Sequence, residues 1–151
     1  LVGSEMCIRD SAWAAERSRN PLCYNGDLVT VEDCGAFEAD FPAIDAVMIG
    51  RGAVADPALF RKLRGGTPAT RREIQTFTRT LYQSYQEFYG QVGPAAQRMK
   101  EVWFFLIHLF EGGERHHKRM RRLRTPAEYE AVEAAIFQEL PLRDHAEGAF
   151  G

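Results

Sequence analysis

No apolar run in this sequence is long enough to cross a membrane. The longest, Val102 to Leu109, is interrupted by His108 and falls far short of the ~20 residues a spanning helix needs. Cysteine is scarce. The three present, Cys7, Cys23 and Cys34, form no Cys-x-x-Cys pair, which excludes a disulfide framework and a zinc knuckle and fits a reducing cytoplasm. Internal repeats and low-complexity tracts are missing too, and so are the basic start and unbroken apolar stretch of a secretory signal. Residues 1–11 (LVGSEMCIRDS) have no clear period and look like the read-through product of a sequencing adapter. They are expected to be a non-native leader and take no part in the fold reasoning.

The remainder has the balance of a globular protein, with 45% hydrophobic and 26% charged residues. A net charge of −2 conceals an uneven distribution. From Ala12 to Arg64 there are six basic and eight acidic side chains. From Pro94 to Arg124 there are eight basic and three acidic, and from Thr125 onward one basic and six acidic. A basic segment inside a mildly acidic chain is what a polyanion-binding face requires.

The first half alternates short apolar runs with helical patterns, as β/α units of a parallel sheet do. Pro21 to Tyr24 and Ala46 to Ile49 are the expected strands. Between them Thr30 caps a helix whose third residue is Asp33, with Val31, Cys34 and Phe37 inward. A further helix is expected from Pro57 to Leu63, ending at Gly65 and Gly66, where a domain boundary is placed. Beyond it the period is helical throughout. Thr70 and Glu73 form a capping box, followed by Ile74, Phe77, Leu81, Tyr85 and Phe88 on one face. Pro94 is expected at the first position of a helix running through Phe110, apolar on most sides and therefore central in a bundle. Gly112 and Gly113 precede a short basic helix, and Thr125, Pro126 and Glu128 cap a last one bearing Tyr129, Val132, Ile136 and Leu140. Four helices after a linker suggest a small bundle.

Two glycine turns carry the chemistry: Tyr24-Asn25-Gly26-Asp27 after the first strand and Ile49-Gly50-Arg51-Gly52 after the second. Glycine at a strand's C-terminal end lets backbone N–H groups approach a phosphate, and a following helix adds a favourable dipole. Arg51 can add a bidentate, permanently charged contact. Such turns on adjacent parallel strands can share one anion, as the loops after strands seven and eight of TIM barrels do. Taken singly, each is an ordinary tight turn.

The stretches PLCYNGDL and IDAVMIGRGAVADPALF resemble the end of the barrel in tRNA-dihydrouridine synthases. RMKEVWFFLIHLF resembles an early helix of that family's helical domain, and the resemblance runs from Asn20 to Leu142. It implies an α/β plus all-α fold, namely the last two β/α units of an FMN-binding TIM barrel at residues 12–65, a helical tRNA-binding domain at 66–143 and a tail at 144–151. It implies that Asn25, Gly26, Asp27, Gly50 and Arg51 hold the FMN phosphate. The activity implied is reduction of a tRNA uridine in the cytoplasm, with NADPH reducing FMN and a cysteine protonating the uracil. That cysteine belongs to an earlier part of the family's barrel, and none of the three here matches it. Cys23 and Cys34 read as small buried hydrophobes, so no catalytic residue is assigned. A TIM barrel typically has ~250 residues and eight strands, so two strands make this a fragment.

Arg98, Lys100, Arg115, Lys118, Arg119 and Arg122 are the candidate contacts to tRNA phosphates. Lys100 lies inside the matching motif. Adjacent His116 and His117 diverge on a helix and make a poor metal pair, so a solvated or RNA-contacting role is expected. Trp103, Phe104, Phe105 and Phe110 at helical spacing are expected in the core. The alternatives are an FMN barrel acting on a small molecule and a non-catalytic RNA-binding module.

Overall fold

The computed structural model describes residues 12–147, and the expected leader at 1–11 lies outside the described residues. A helical segment at 12–17 precedes β1 (Cys23–Tyr24), α1 (Val31–Asp40), β2 (Ala46–Val47), α2 (Arg51–Ala55) and α3 (Leu59–Leu63). The two strands pair in parallel, Cys23 against Ala46 and Tyr24 against Val47. Met48 N–H donates to Tyr24 O at 2.7 Å, and the Asp45 carboxylate accepts from Leu22 N–H at 2.9 Å. The strands are shorter than the apolar runs that predict them.

The box at Thr30 forms as read from the sequence: its hydroxyl accepts from Asp33 N–H while the Asp33 side chain reaches back to Thr30 N–H. Cys34 and Phe37 are buried beneath it with Leu28, Ile49 and Leu59. Cys23 is the exception to expectation, because it is exposed. Strand residues alternate between faces. Tyr24 turns toward α1 and stacks on Phe37 at 4.0 Å between centroids, which sends Cys23 to the opposite face.

The helical half consists of α4 (Arg71–Tyr89), α5 (Val92–Leu106), a 3₁₀ turn (Ile107–Leu109), α6 (Glu114–Arg122) and α7 (Pro126–Glu139). Capping boxes at Thr70 and Thr125 open α4 and α7. Arg71 closes the bundle by donating to the carbonyls of Phe137 and Leu140, which α7 itself leaves without helical partners. α5 is central as expected, with Ala95, Met99, Trp103 and Leu106 buried to the last atom or nearly so. It begins at Val92, so Pro94 stands at the third helical position rather than the first. Either place is tolerated, since no N–H of the first turn has a helical partner.

On α4 the buried stripe is Ile74, Thr78 and Tyr82, flanked by Phe77, Leu81 and Tyr85. Phe88, expected on the same face, is 80% exposed. The last turn of α4 outruns the helices packed against it and ends at Gly90 in a left-handed cap (φ 63°). His116 is also corrected: it is buried, with Nε2 3.1 Å from the Glu139 carboxylate. His116 and Met120 are one turn apart and form the inner face of α6. Trp103 and Phe110 are buried as expected, whereas Phe104 and Phe105 are half-buried.

The larger core contains Val29, Val54 and Ala55 alongside the helical residues, so it reaches across the glycines at 65 and 66. Residues 141–147 run back along the 3₁₀ turn. Glu111 N–H donates to Pro141 O, Arg143 N–H to Leu109 O and Glu147 N–H to His108 O, and Ala146 is buried.

Candidate functional site

The parallel register places the chain segments leaving β1 and β2 side by side, so the two glycine turns meet. Arg51 and Asp27 form an ion pair across them, each about half exposed. A carboxylate beside a guanidinium fixes where that cation stands. Asn25 and Gly50 are exposed, and Gly26 is half-buried.

The glycines divide by what surrounds them. A Cβ at Gly26 would run into the Tyr24 hydroxyl, so this position is glycine because the Tyr24 ring lies over it. A Cβ at Gly52 would collide with Leu28 O and come within 3.1 Å of Val29 Cα. That close approach seats α2 against the loop after β1 and brings Arg51 to Asp27. At Gly50 a Cβ would meet nothing within 4 Å among the described residues, so the backbone there borders open space. Sequence reading singled out Gly50 and passed over the spatial role of Gly52. Both glycines were visible as a pair, but which one touches Leu28 depends on a contact 24 residues back in the chain.

The far end of α2 is anchored by Asp56, which is buried and pairs with Lys62 of α3. Asp56 also accepts from Ala58 N–H at 3.0 Å, and Lys62 donates to Asp144 O at 2.7 Å. Lys62 thus ties α2, α3 and the segment at 141–147 together. Sequence reading missed this cluster, because its only local signal was Asp56 before Pro57 and the decisive partner is 82 residues away.

In the helical half, Arg115, Lys118, Arg119 and Arg122 come together. At three- and four-residue steps on α6 they share its outer side and, with Gly112 and Glu114, line a groove of about 510 Å³. Lys100 is half-buried, and its Nζ donates at 2.6 Å to the carbonyl of Leu123, the residue that ends α6. A cation there also meets the negative end of the helix dipole. Arg98 lies two positions away, so it points to the other side of α5, where it pairs with Glu101. The six candidate cations therefore separate into a groove of four, a helix-end contact and a lone pair on the far side.

Burial displaces several titratable groups inside the bundle, raising Tyr82, Tyr129 and Glu133 and lowering His117. Burial, with lesser contributions from His108 and Arg121, holds His117 below the usual histidine range. Burial likewise raises the Glu133 carboxyl, against the hydrogen bond it accepts at 2.6 Å from Tyr129. Among the described residues no group of three or more His, Cys, Asp or Glu is arranged to hold a metal ion, and no helix is long and apolar enough to cross a membrane.

The model of the family Dihydrouridine synthase (Dus) matches residues 15–141. Over 123 residues the chain is 32% identical to the tRNA-dihydrouridine(16) synthase of Cupriavidus necator, covering 74% of this chain and 36% of that protein. It therefore spans about a third of that relative's length. With a family match that includes both glycine turns, the basic helix and all four helices of the bundle, the chain belongs to the dihydrouridine synthase family.

Proposed function

We propose that this chain is the C-terminal portion of a cytoplasmic tRNA-dihydrouridine synthase, carrying the phosphate end of an FMN site and a tRNA-binding helical domain. The observation that carries the reading is the meeting of the two glycine turns under the Asp27–Arg51 pair, within a match to the family. A phosphate fits there on this chain's own features: a permanent cation at Arg51, a backbone at Gly50 bordering open space, and two parallel strands ending side by side. Arg51 and the backbone at Gly50 hold the phosphate. Asp27 is itself an anion, so its side chain contributes by positioning Arg51 rather than by touching the phosphate. Asn25 and Gly26 complete the first turn.

Bound FMN supplies the hydride chemistry that reduces a uracil double bond, with NADPH as the source of electrons. The residues of this chain bind and orient. No proton donor to uracil is assigned among them. The groove of Arg115, Lys118, Arg119 and Arg122 faces tRNA phosphates, and Lys100 supports it by holding the end of α6. The name of the Cupriavidus relative makes uridine 16 the first position to test.

The direct test is the dihydrouridine content of tRNA, measured by mass spectrometry in cells lacking the full-length gene and after its return. Loss at one position, restored by the gene, is expected. Unchanged dihydrouridine at every position would overturn the reading.

A further inference from the structure

Helix α2 carries Arg51 at one end and runs into Asp56 at the other, and the two ends are held in opposite ways. At the Arg51 end the ion pair is superficial, with Arg51 and Asp27 each half exposed. At the other end Asp56 is 1% exposed and pairs with Lys62, whose side chain is 10% exposed. Ala58 N–H donates to the same carboxylate at 3.0 Å, and Lys62 also donates to Asp144 O at 2.7 Å. None of these groups belongs to the two glycine turns.

A helix of five residues cannot fix its own direction, because one turn costs more to order than its hydrogen bonds return. Its contacts must do so. Gly52 lets the helix come close to Leu28 but brings no side chain to orient it, and Ala55 offers the larger core a single methyl group. Asp56 supplies what these lack. Its N–H closes α2 on Gly52 O at 2.9 Å, while its carboxylate is clasped by Lys62 of α3. From Asp56 to Arg51 is about 7.5 Å along the axis, so a tilt at one end is carried to the other. A buried ion pair adds little net stability, since desolvation offsets most of its attraction, but it demands a defined geometry.

We propose that Asp56 and Lys62 are positioning residues for the flavin phosphate: they set the direction of α2, and so the place of the Arg51 guanidinium, without touching the ligand. The inference rests on the phosphate reading of the glycine turns and deepens it. Phosphate affinity then depends on a carbonyl 82 residues beyond Lys62, in the segment that runs back along the 3₁₀ turn.

The test titrates flavin-stripped full-length enzyme with FMN and, separately, with riboflavin, which lacks only the phosphate. The ratio of the two affinities isolates the phosphate contribution. A variant that merely loosens the fold lowers both affinities and leaves the ratio unchanged. Arg51→Ala should lower the ratio by about 10- to 100-fold, the range for losing a hydrogen bond to a charged group. Asp56→Asn combined with Lys62→Met puts neutral side chains of similar size in place of the pair, an exchange that buried sites often tolerate. It should lower the ratio by about 5-fold or more. Asp56→Asn alone, the milder change, should move the ratio in the same direction. In an Arg51→Ala background the combined change should lower the ratio less than in the wild type, because its effect passes through Arg51. An unchanged ratio in either Asp56 variant, or an equal loss in both backgrounds, would overturn the positioning role while the phosphate reading stands. An unchanged ratio in Arg51→Ala would overturn the phosphate reading and this one together.

Discussion

The helical half encloses a continuous core around Trp103, Met99 and Tyr129, whereas the strand-bearing half closes only a small cluster around Leu59 and Cys34 and leaves Met48, Phe60 and Cys23 exposed. The difference follows from geometry. Four helices can bury one another's stripes, but two parallel strands have a second face and two edges that they cannot cover. The larger core therefore lies mostly in the helical half. The strand-bearing half is held together by Gly52 against Leu28 and by Lys62 on Asp56, and is tied to the helical half by Ala55 in the larger core and by Lys62 on Asp144.

The sharpest way to break this asymmetry is to remove the central side chain of the larger core and, separately, the cation that ties the two halves together. In the full-length enzyme Trp103→Ala should cost about 3–5 kcal/mol, the range for deleting a fully buried large aromatic residue, read from denaturant unfolding. Lys62→Met should cost a similar amount, about 3–5 kcal/mol, by leaving Asp56 buried without its cation, and it should loosen the strand-bearing half in hydrogen exchange before the helices. Equal loosening of both halves would show that the tie is not directional. Gly52→Val should cost about 1–3 kcal/mol through collision with Leu28 O, and it should lower flavin retention because α2 carries Arg51. Gly50→Ala meets open space at the same turn, so it should leave the fold intact.

The smallest effect concerns pH. Arg61, together with the Thr70 backbone and hydroxyl, holds the Glu73 carboxyl down to about 2 from its ordinary 4.5. A carboxyl lowered on folding stabilises above its unfolded value and loses that contribution as pH falls through the folded one. Glu73→Gln should therefore flatten the acid limb of the stability curve between about pH 4.5 and 2 and nowhere else, as followed by circular dichroism. A difference confined to neutral pH would contradict the cause.

What the sequence made legible is local. The boxes at Thr30, Thr70 and Thr125 form because donor and acceptor lie three residues apart, and the stripe on α7 follows from its period alone. Parallel pairing of the two strands was legible because each apolar run ends in a glycine turn with a helix between. What escaped reading depends on distant partners: Lys62 with Asp144, His116 with Glu139, and Arg71 with the end of α7. Phe88 escaped for a related reason, since periodicity predicts a face but not where the packing partner stops. The five phosphate candidates were found as a motif, yet the pairing of two of them, Asp27 and Arg51, appears only in three dimensions.

The division of labour between the two halves is tested most directly by measuring bound flavin and tRNA affinity on the same preparations of two full-length variants. Arg51→Ala should lose flavin and keep tRNA affinity. The combined Arg115, Lys118, Arg119 and Arg122 to alanine variant should keep flavin, bind tRNA more weakly and show a salt slope flatter by up to ~4 units, below one for each phosphate no longer neutralised. Flavin retained by the first variant, or a tRNA affinity and salt slope unchanged in the second, would contradict the account.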